Sequence, residues 1–499
     1  MSTSAQDMRD RLKRWPLIAQ PANRDEGFLK DARLVNAYVE QDPNTGEFWV
    51  QKRMGYVPNF LNLITNGIGR GMYTWYHSPG LVPVPENWAI IGNGLNASVF
   101  RNGFLFGTAL GLPDASGTGI WAFTETQGAT KYLVFTSPSP GNLYYTTGSG
   151  GWTLATLAAG RGNFITGLAY LDGTVYFMDE NCNIFGSNIE DPTTWTTTNL
   201  IIAKKIPGTG VAFTRQLSYL LALKSSSMEV FYDGAGAPPG SPLLQIDGAT
   251  NTFGCLDSNT VQNIDGIVIY ATISQGMVSP QIVRIDNLVP TIISTPPIDR
   301  LIKSAAVSGH LYSFVFRFGG HRLYGISSDT QNFTVVYDLD QAKPGGLWYQ
   351  WTDTDGTFFK MQSAGLGNGG IGGVLPWFLT QNSGTIWVLG GDYQYPTDNG
   401  VVVPVDIYTG NEDFGTQRTK TMFRMNIRSD VKKGSTLFIR RSDDDYQTWS
   451  AYRKVDLGKS TPYIDNEGTF TRRAYNFRHL APTSFRIRSA DLQMELGTI

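Results

Sequence analysis

Only two cysteines and four histidines occur among the 499 residues, and no apolar run approaches the roughly twenty residues that a membrane-spanning helix needs. Cys182 and Cys255 match no metal-binding or redox spacing, so both read as buried free thiols and no disulfide framework is expected. His77, His310, His321 and His479 show no H-x-x-x-H or E-x-x-H spacing and read as turn or rim residues; His310 and His321 flank a hairpin in this reading. The opening residues lack the apolar core of a signal peptide, so the expectation is a chain made and folded in a cytoplasm, without membrane insertion. Helical periodicity is scarce, and only Ala5–Arg14 suggests a short helix. The net charge of −2 argues against a broadly basic nucleic-acid binder. It is unevenly spread, +5 over residues 411–499 and −7 over 1–410. The basic tail reads as a solvated surface, or as a docking face for an acidic partner or DNA.

What the chain does have is 56 Gly, 25 Pro, 23 Tyr, 27 Phe and 12 Trp, a mixture that favours many short strands joined by tight turns. An apolar strand recurs at Trp88, Tyr132, Val175, Tyr219, Ile267 and Leu311, in steps of 44, 43, 44, 48 and 44 residues. Each has a partner, beginning at Ala97, Asn142, Asn183, Met228, Gln281 and Arg322. A period near 44 with about four strands per unit predicts an all-β propeller, because a single blade leaves an apolar face that only its neighbours cover. Six blades are favoured. Ile386-Trp-Val-Leu389 leaves a seventh open, 75 residues beyond Leu311 and after a Gly-rich stretch, Gly365–Gly373, read as a connecting loop of unassigned role. The division expected is an N-terminal extended segment (1–67), a propeller with insertions (68–410) and a small C-terminal β-sandwich-like domain (411–499), whose strands alternate apolar and charged residues.

Catalytic signals are thin. Gly365-Leu-Gly367-Asn-Gly-Gly370 matches G-x-G-x-x-G, but Pro376 follows where a helix should start, so no cofactor is expected. Asp353-Thr-Asp355-Gly356 hints at calcium, yet an Asp-Gly hairpin accounts for it and no metal site is expected. Ser442, Asp444, Thr448 and Trp449 form an Asp-box-like turn of the sialidase-propeller type, with Tyr446 where glycine is usual; Ser187 to Trp195 is a looser version. That turn is architectural. A glycan-cleaving propeller would need paired carboxylates and arginines at its mouth, and Lys205-Ile-Pro207 offers lysine in place of arginine. No catalytic residue is expected, although a glycan-binding or sialidase-like glycan-cleaving propeller stays as the alternative.

Three stretches together resemble the tail nozzle, or tail hub (packaged-DNA stabilisation), proteins of short-tailed bacteriophages. The first contains Asp31, Arg33, Asn36, Lys52, Arg53, Gly55, Gly69, Arg70 and Gly71, within Asp31-Ala-Arg-Leu-Val-Asn36, Lys52-Arg53-Met-Gly55 and Gly69-Arg-Gly71. The second runs from Ser226-Ser-Met-Glu229-Val-Phe231 through Gly254 to Pro297-Ile-Asp-Arg-Leu-Ile302. The third runs from Leu437 through Asp444 to Leu496. Met54 and Tyr446 depart from the family pattern. The resemblance implies a non-enzymatic virion protein forming a hexameric ring below the portal and its adaptor. Such a ring would hold DNA in its lumen without sequence specificity, seat the tail needle or tip and the fibres or spikes, and guide genome ejection. A near-neutral wall suits passage, since a strongly basic one would release counterions and grip phosphates.

Overall fold

In the computed structural model, residues 12–497 are described, apart from 19, 22–29, 77–84, 115–118, 138–140, 158–160, 237–239, 275, 277–278, 309–310, 342–345, 369–373 and 391–394. Seven antiparallel units succeed one another, 68–113 and 254–292 with five strands, 122–154, 169–202, 210–245 and 312–350 with four, and 361–390 with three. The innermost strands meet in a closed circuit, and the last, Met361–Asn368, returns to the first, Ile68–Trp75. The propeller expected from the repeat is therefore seven-bladed rather than the favoured six. Only three strands of the seventh blade come from residues 361–390; its outer strand is Gly55–Phe60, contributed by the N-terminal segment and paired with Ser383–Gly390.

The period arises from packing. Along a central strand, alternate residues point to opposite neighbouring blades, which is why these strands read as continuous apolar runs. Leu133 and Phe135 pack on blade one, and Val134 between them packs on blade three. Tyr176 and Met178 face blade four, Val175 and Phe177 face blade two. Each gap between blades thus holds its own buried cluster, and the gap between blades six and seven merges with the core of the C-terminal domain.

Blade six departs from the even spacing. Leu311 leads into the innermost strand, Tyr312–Phe318, rather than the second one, so the sixth repeat aligns one strand early. The displacement has a cause: a helix, Pro296–Ser308, stands between blades five and six. Proline is tolerated in a first helical turn, where its missing N–H has no intrahelical partner. Ile298, Ile302 and Ala305 recur at helical spacing and are fully buried against both blades. The short helix expected at Ala5–Arg14 is corrected in its described part, since Leu12–Trp15 is a strand paired with Ala490–Gln493; residues 5–11 lie outside the described residues.

The C-terminal region is a sandwich of two sheets. One contains Ala37–Gln41, Phe48–Lys52, Arg486–Leu496, Lys420–Ser429 and Tyr463–Phe470. The other contains Arg33–Val35, Val405–Tyr408, Ala474–His479, Thr436–Ser442 and Arg453–Asp456, and it is continuous with blade six because Val35 pairs with Gln350. Their facing residues, among them Trp15, Val39, Val50, Met425, Ile439, Phe477 and Leu492, form one core. No helix among the described residues is long and apolar enough to cross a membrane.

Candidate functional site

The nine residues that carry the first part of the resemblance divide between two buried places. The first is a junction where blade six, blade seven, the N-terminal strands and the sandwich meet. Asn36 adopts a positive φ of 52°, a conformation asparagine tolerates better than most side chains, and this turns the chain between Arg33–Val35 and Ala37–Gln41. Its amide then binds four ways. Oδ1 accepts from Arg53 Nε at 3.0 Å and from Thr352 N at 2.8 Å, and Nδ2 donates to Thr352 Oγ1 and to Pro404 O. Arg53, with no exposed surface, gives Nη1 and Nη2 to the two oxygens of Asp398, at 3.0 and 2.5 Å, and further donors to the carbonyls of Met54 and Thr352. The guanidinium lies 4.7 Å from the Phe359 ring centre. Burial pushes the Asp398 carboxyl above the usual carboxylate range, opposed by Arg53.

Around this knot, Lys52 Nζ donates to the carbonyls of Pro396 and Thr483. Arg33 stacks 3.8 Å from the centre of Tyr408 and donates to Asp31 O. Gly55 is required by contact: a Cβ there would run into the carbonyl oxygens of Tyr395 and Thr397. The second place is the seam between blades seven, one and two. Arg70, fully buried, pairs with Asp114 at 2.8 Å, while Gly69 abuts Leu379 and Gly71 abuts Trp121 and Phe123. All nine residues are thus architectural in their contacts.

A turn spans the propeller channel. Asp257 caps a short turn, Ser258–Thr260, by accepting from Asn259 N, and the turn reaches from blade five across the axis. Asn259 Oδ1 accepts from Ile120 N of blade two, Ser258 Oγ bonds Thr166 Oγ1 of blade three at 3.2 Å, and Asn259 O accepts from Ser313 Oγ of blade six. A cavity of about 210 Å³ remains beside it, walled by all seven blades, and its lining includes Tyr73, Trp121, Phe213, Gln262 and Ser363. Its wall holds no carboxylate, lysine, arginine or histidine among the described residues, so the two-carboxylate chemistry of a glycosidase has no groups to use there.

The remaining candidates also resolve. Gly365-Leu-Gly367 does not form a loop: it lies in Met361–Asn368, the innermost strand of blade seven, where Gly367 leaves room for Trp377; residues 369–373 lie outside the described residues. Lys360 Nζ stands 3.0 Å from Asp353 and 3.8 Å from Asp355, and no group of three or more potential metal ligands occurs among the described residues. Lys205 is remote from the channel and pairs with Asp247 at 2.8 Å. Cys182 and Cys255 are free and buried, and burial raises both thiols, which keeps them unreactive. His77 and His310 lie outside the described residues; His321 Nδ1 binds Asp338 at 2.8 Å, and His479 Nε2 meets Ser435 Oγ at 2.8 Å.

The Asp-box-like turn forms as expected. Ser442 Oγ donates to Asp444, Asp444 accepts from Thr448 N and Oγ1, and these bonds hold its carboxyl down at about 2. Tyr446 takes the glycine position at a φ of 64°, in the left-handed region. Its ring is buried against Trp449 and its hydroxyl donates to Thr409 O at 2.6 Å, tying the turn to the neighbouring strand. Tyr446→Phe is expected to lower sandwich stability by about 1 kcal/mol, read from the midpoint of urea denaturation. An unchanged midpoint would mean that the ring alone holds the turn.

No family model matches the chain, and no curated protein matches it. Solved structures similar to it include a streptogramin B lyase (13% identity, TM-score 0.42, covering 68% of this chain and 97% of that one). The N-terminal domain of Nup159 is similar at 10% identity and a TM-score of 0.37, over 72% of this chain and 99% of that one. An exo-β-1,3-galactanase from Phanerochaete chrysosporium is similar at 9% identity and a TM-score of 0.29, over 78% and 97%. Likenesses this remote say nothing about activity or partners.

Proposed function

We propose that the chain is the tail nozzle protein of a short-tailed bacteriophage: a non-enzymatic virion component that assembles as a hexameric ring below the portal and adaptor. In this reading it retains packaged DNA, seats the tail needle or tip and the fibres or spikes, and guides genome ejection. The observation that supports the reading most is the junction. Asp31, Arg33, Asn36, Lys52, Arg53 and Gly55, which carry the first part of the resemblance, gather where the N-terminal segment locks the last two blades to the sandwich. These six residues, all within 31–55, are held by partners from distant parts of the chain, Thr352, Asp398 and Tyr408 among them, which supports their reading as architectural motif positions. Function in a nozzle resides in surfaces and assembly, which suits a chain whose axial cavity is lined, among the described residues, by no carboxylate, lysine, arginine or histidine.

The plug constrains where DNA goes. A duplex whose major groove alone is about 12 Å wide does not fit a cavity of about 210 Å³ crossed by Ser258–Thr260. The conduit of this reading lies between protomers, on the ring axis. Electron microscopy of the purified protein and of the parent particle tests the proposal: rings of six centred on the tail axis are expected. A monomer in every condition, including within particles, would overturn it.

A further inference from the structure

One sheet of the sandwich has a seam. Its strand Arg486–Leu496 is paired along one edge with Lys420–Ser429. Along the other edge it pairs with Phe48–Lys52 at Arg486 and Ile487, and with Leu12–Trp15 from Ala490 to Gln493. Arg488 and Ser489 fall between these two pairings, with no strand partner on that side among the described residues. A cavity of about 270 Å³ lies there, with Trp15, Phe48, Arg488 and Ser489 among its walls. It shares no residue with the axial cavity or with the Asn36–Arg53 knot.

The wall carries hydrogen-bond donors without acceptors. Trp15 is 2% exposed and Ser489 4%, yet Trp15 Nε1 and Ser489 Oγ have no hydrogen-bond partner, and neither has Arg488 Nε. The Trp15 indole is held edge-on by Phe414 and Tyr475, at 5.4 and 4.7 Å. A buried donor left unmade costs the desolvation of that group, which an acceptor oxygen recovers. Charge points the same way. Glu47 joins the two arginines of the wall, accepting from Arg14 Nη1 at 3.0 Å and pairing with Arg488 Nη2. Asp491 is shared by Arg14 at 3.3 Å and Arg428 at 2.6 Å. Three guanidiniums against two carboxylates leave one positive charge in excess, which suits a single negative charge. A dianion would meet the Glu47 carboxylate with no second cation to offset it. The remaining wall is Leu17, Ile18 and Val50 beside Phe48, where hydrocarbon leaves water.

We propose that this seam is a binding site for a small monocarboxylate, its oxygens accepting from Trp15, Ser489 and Arg488 and its hydrocarbon part lying against Leu17, Ile18 and Phe48. The volume, about 270 Å³, equals that of roughly nine waters of the bulk liquid, room for an acid with a short branched tail. The site lies in the sandwich, so it is independent of ring formation.

The test titrates sodium isovalerate into the full chain by ligand-observed saturation-transfer NMR, with isovaleramide and inorganic phosphate as comparisons. Saturable transfer to isovalerate is expected, undisturbed by phosphate. It should weaken about tenfold for the amide, and about tenfold in Ser489→Ala or Trp15→Phe, the effect of losing one hydrogen bond to a charged group. Each substitution removes a donor that lacks a partner in the unliganded chain, so thermal midpoints without ligand should equal or exceed that of the wild type; this separates lost binding from lost folding. If Trp15→Phe fails to fold, Ser489→Ala carries the comparison. No saturable transfer, or transfer unchanged in a folded Ser489→Ala, would overturn the site. Equal binding of the amide would overturn its assignment to an anion, and displacement by phosphate its assignment to a monocarboxylate. Crystals soaked in isovalerate give an independent reading: density for the acid between Ser489 and Phe48 supports the site, and ordered waters only would overturn it.

Discussion

Arg53→Met is expected to lower the unfolding free energy by about 3–5 kcal/mol, the usual cost of leaving one member of a buried ion pair without the other. Methionine fills most of the volume beside Phe359, so the loss isolates the polar contacts from packing. Asp398, 3% exposed, loses both its guanidinium donors, and the carbonyls of Met54 and Thr352 lose theirs. Burial already raises the Asp398 carboxyl, and without Arg53 it rises further. A carboxyl whose folded value lies above its unfolded value favours the folded state below the unfolded value and penalises it as pH rises. The deficit of Arg53→Met against the wild type should therefore shrink toward pH 4. Arg53→Lys keeps the charge but not the five-donor fork, and is expected to fall between the two. Pairing Arg53→Met with Asp398→Leu should recover part of the loss, since the orphaned carboxylate is gone. Denaturant midpoints across pH, with hydrogen exchange of residues 33–41, read all three. A deficit below about 1 kcal/mol at pH 7, less than one ordinary hydrogen bond, would show that the knot does not hold the N-terminal strands.

The central strands of blades one to five were legible because each is buried on both faces, which forces an apolar run, and because their turns use residues suited to positive φ, such as Asp172-Gly173 at 44° and 85°. The blade count was not legible for two physical reasons. The helix at 296–308 lengthens the step from Ile267 to the matching strand at His321, and the fourth strand of blade seven lies more than 300 residues before its partner. Gly365 and Gly367 read as slack because glycine normally weakens a strand. Here their missing side chains make way for Met72, Asn87 and Trp377. Arg53 stood out only through a resemblance, and Asp398, 345 residues away, had no local signal at all. The plug shows the same divide. Asp257-Ser-Asn-Thr260 has the composition of a capped turn, but nothing in those four residues says that the turn crosses an axis to meet Ile120 and Thr166.

Acid should loosen the molecule before its carboxylates are neutralised, through His479. This ring has no exposed surface, is stacked at 4.6 Å on Phe485, and shares a hydrogen bond at Nε2 with Ser435 Oγ. Burial, with Lys52 nearby, depresses the imidazole to about 3. A group protonated more readily when unfolded contributes stability above its unfolded value near 6.5, and that stability is lost as pH falls from there toward 3. The full swing is on the order of 5 kcal/mol, concentrated where the sandwich joins the Lys52 side of the junction. His321 has the opposite sign. Its burial alone would lower the imidazole, but the hydrogen bond and charge of Asp338, aided by Glu40 and Asp340, raise it overall. The stability it gives is present below 6.5 and is lost as pH rises through its folded value. His479→Gln keeps an acceptor for Ser435 without a titrating group, so its stability curve should stay flat between pH 6.5 and 4 where that of the wild type falls. His321→Gln should flatten the alkaline side instead. Denaturant midpoints measured from pH 4 to 8 separate the two, and parallel curves for His479→Gln and the wild type would show that His479 is not the acid-sensitive group.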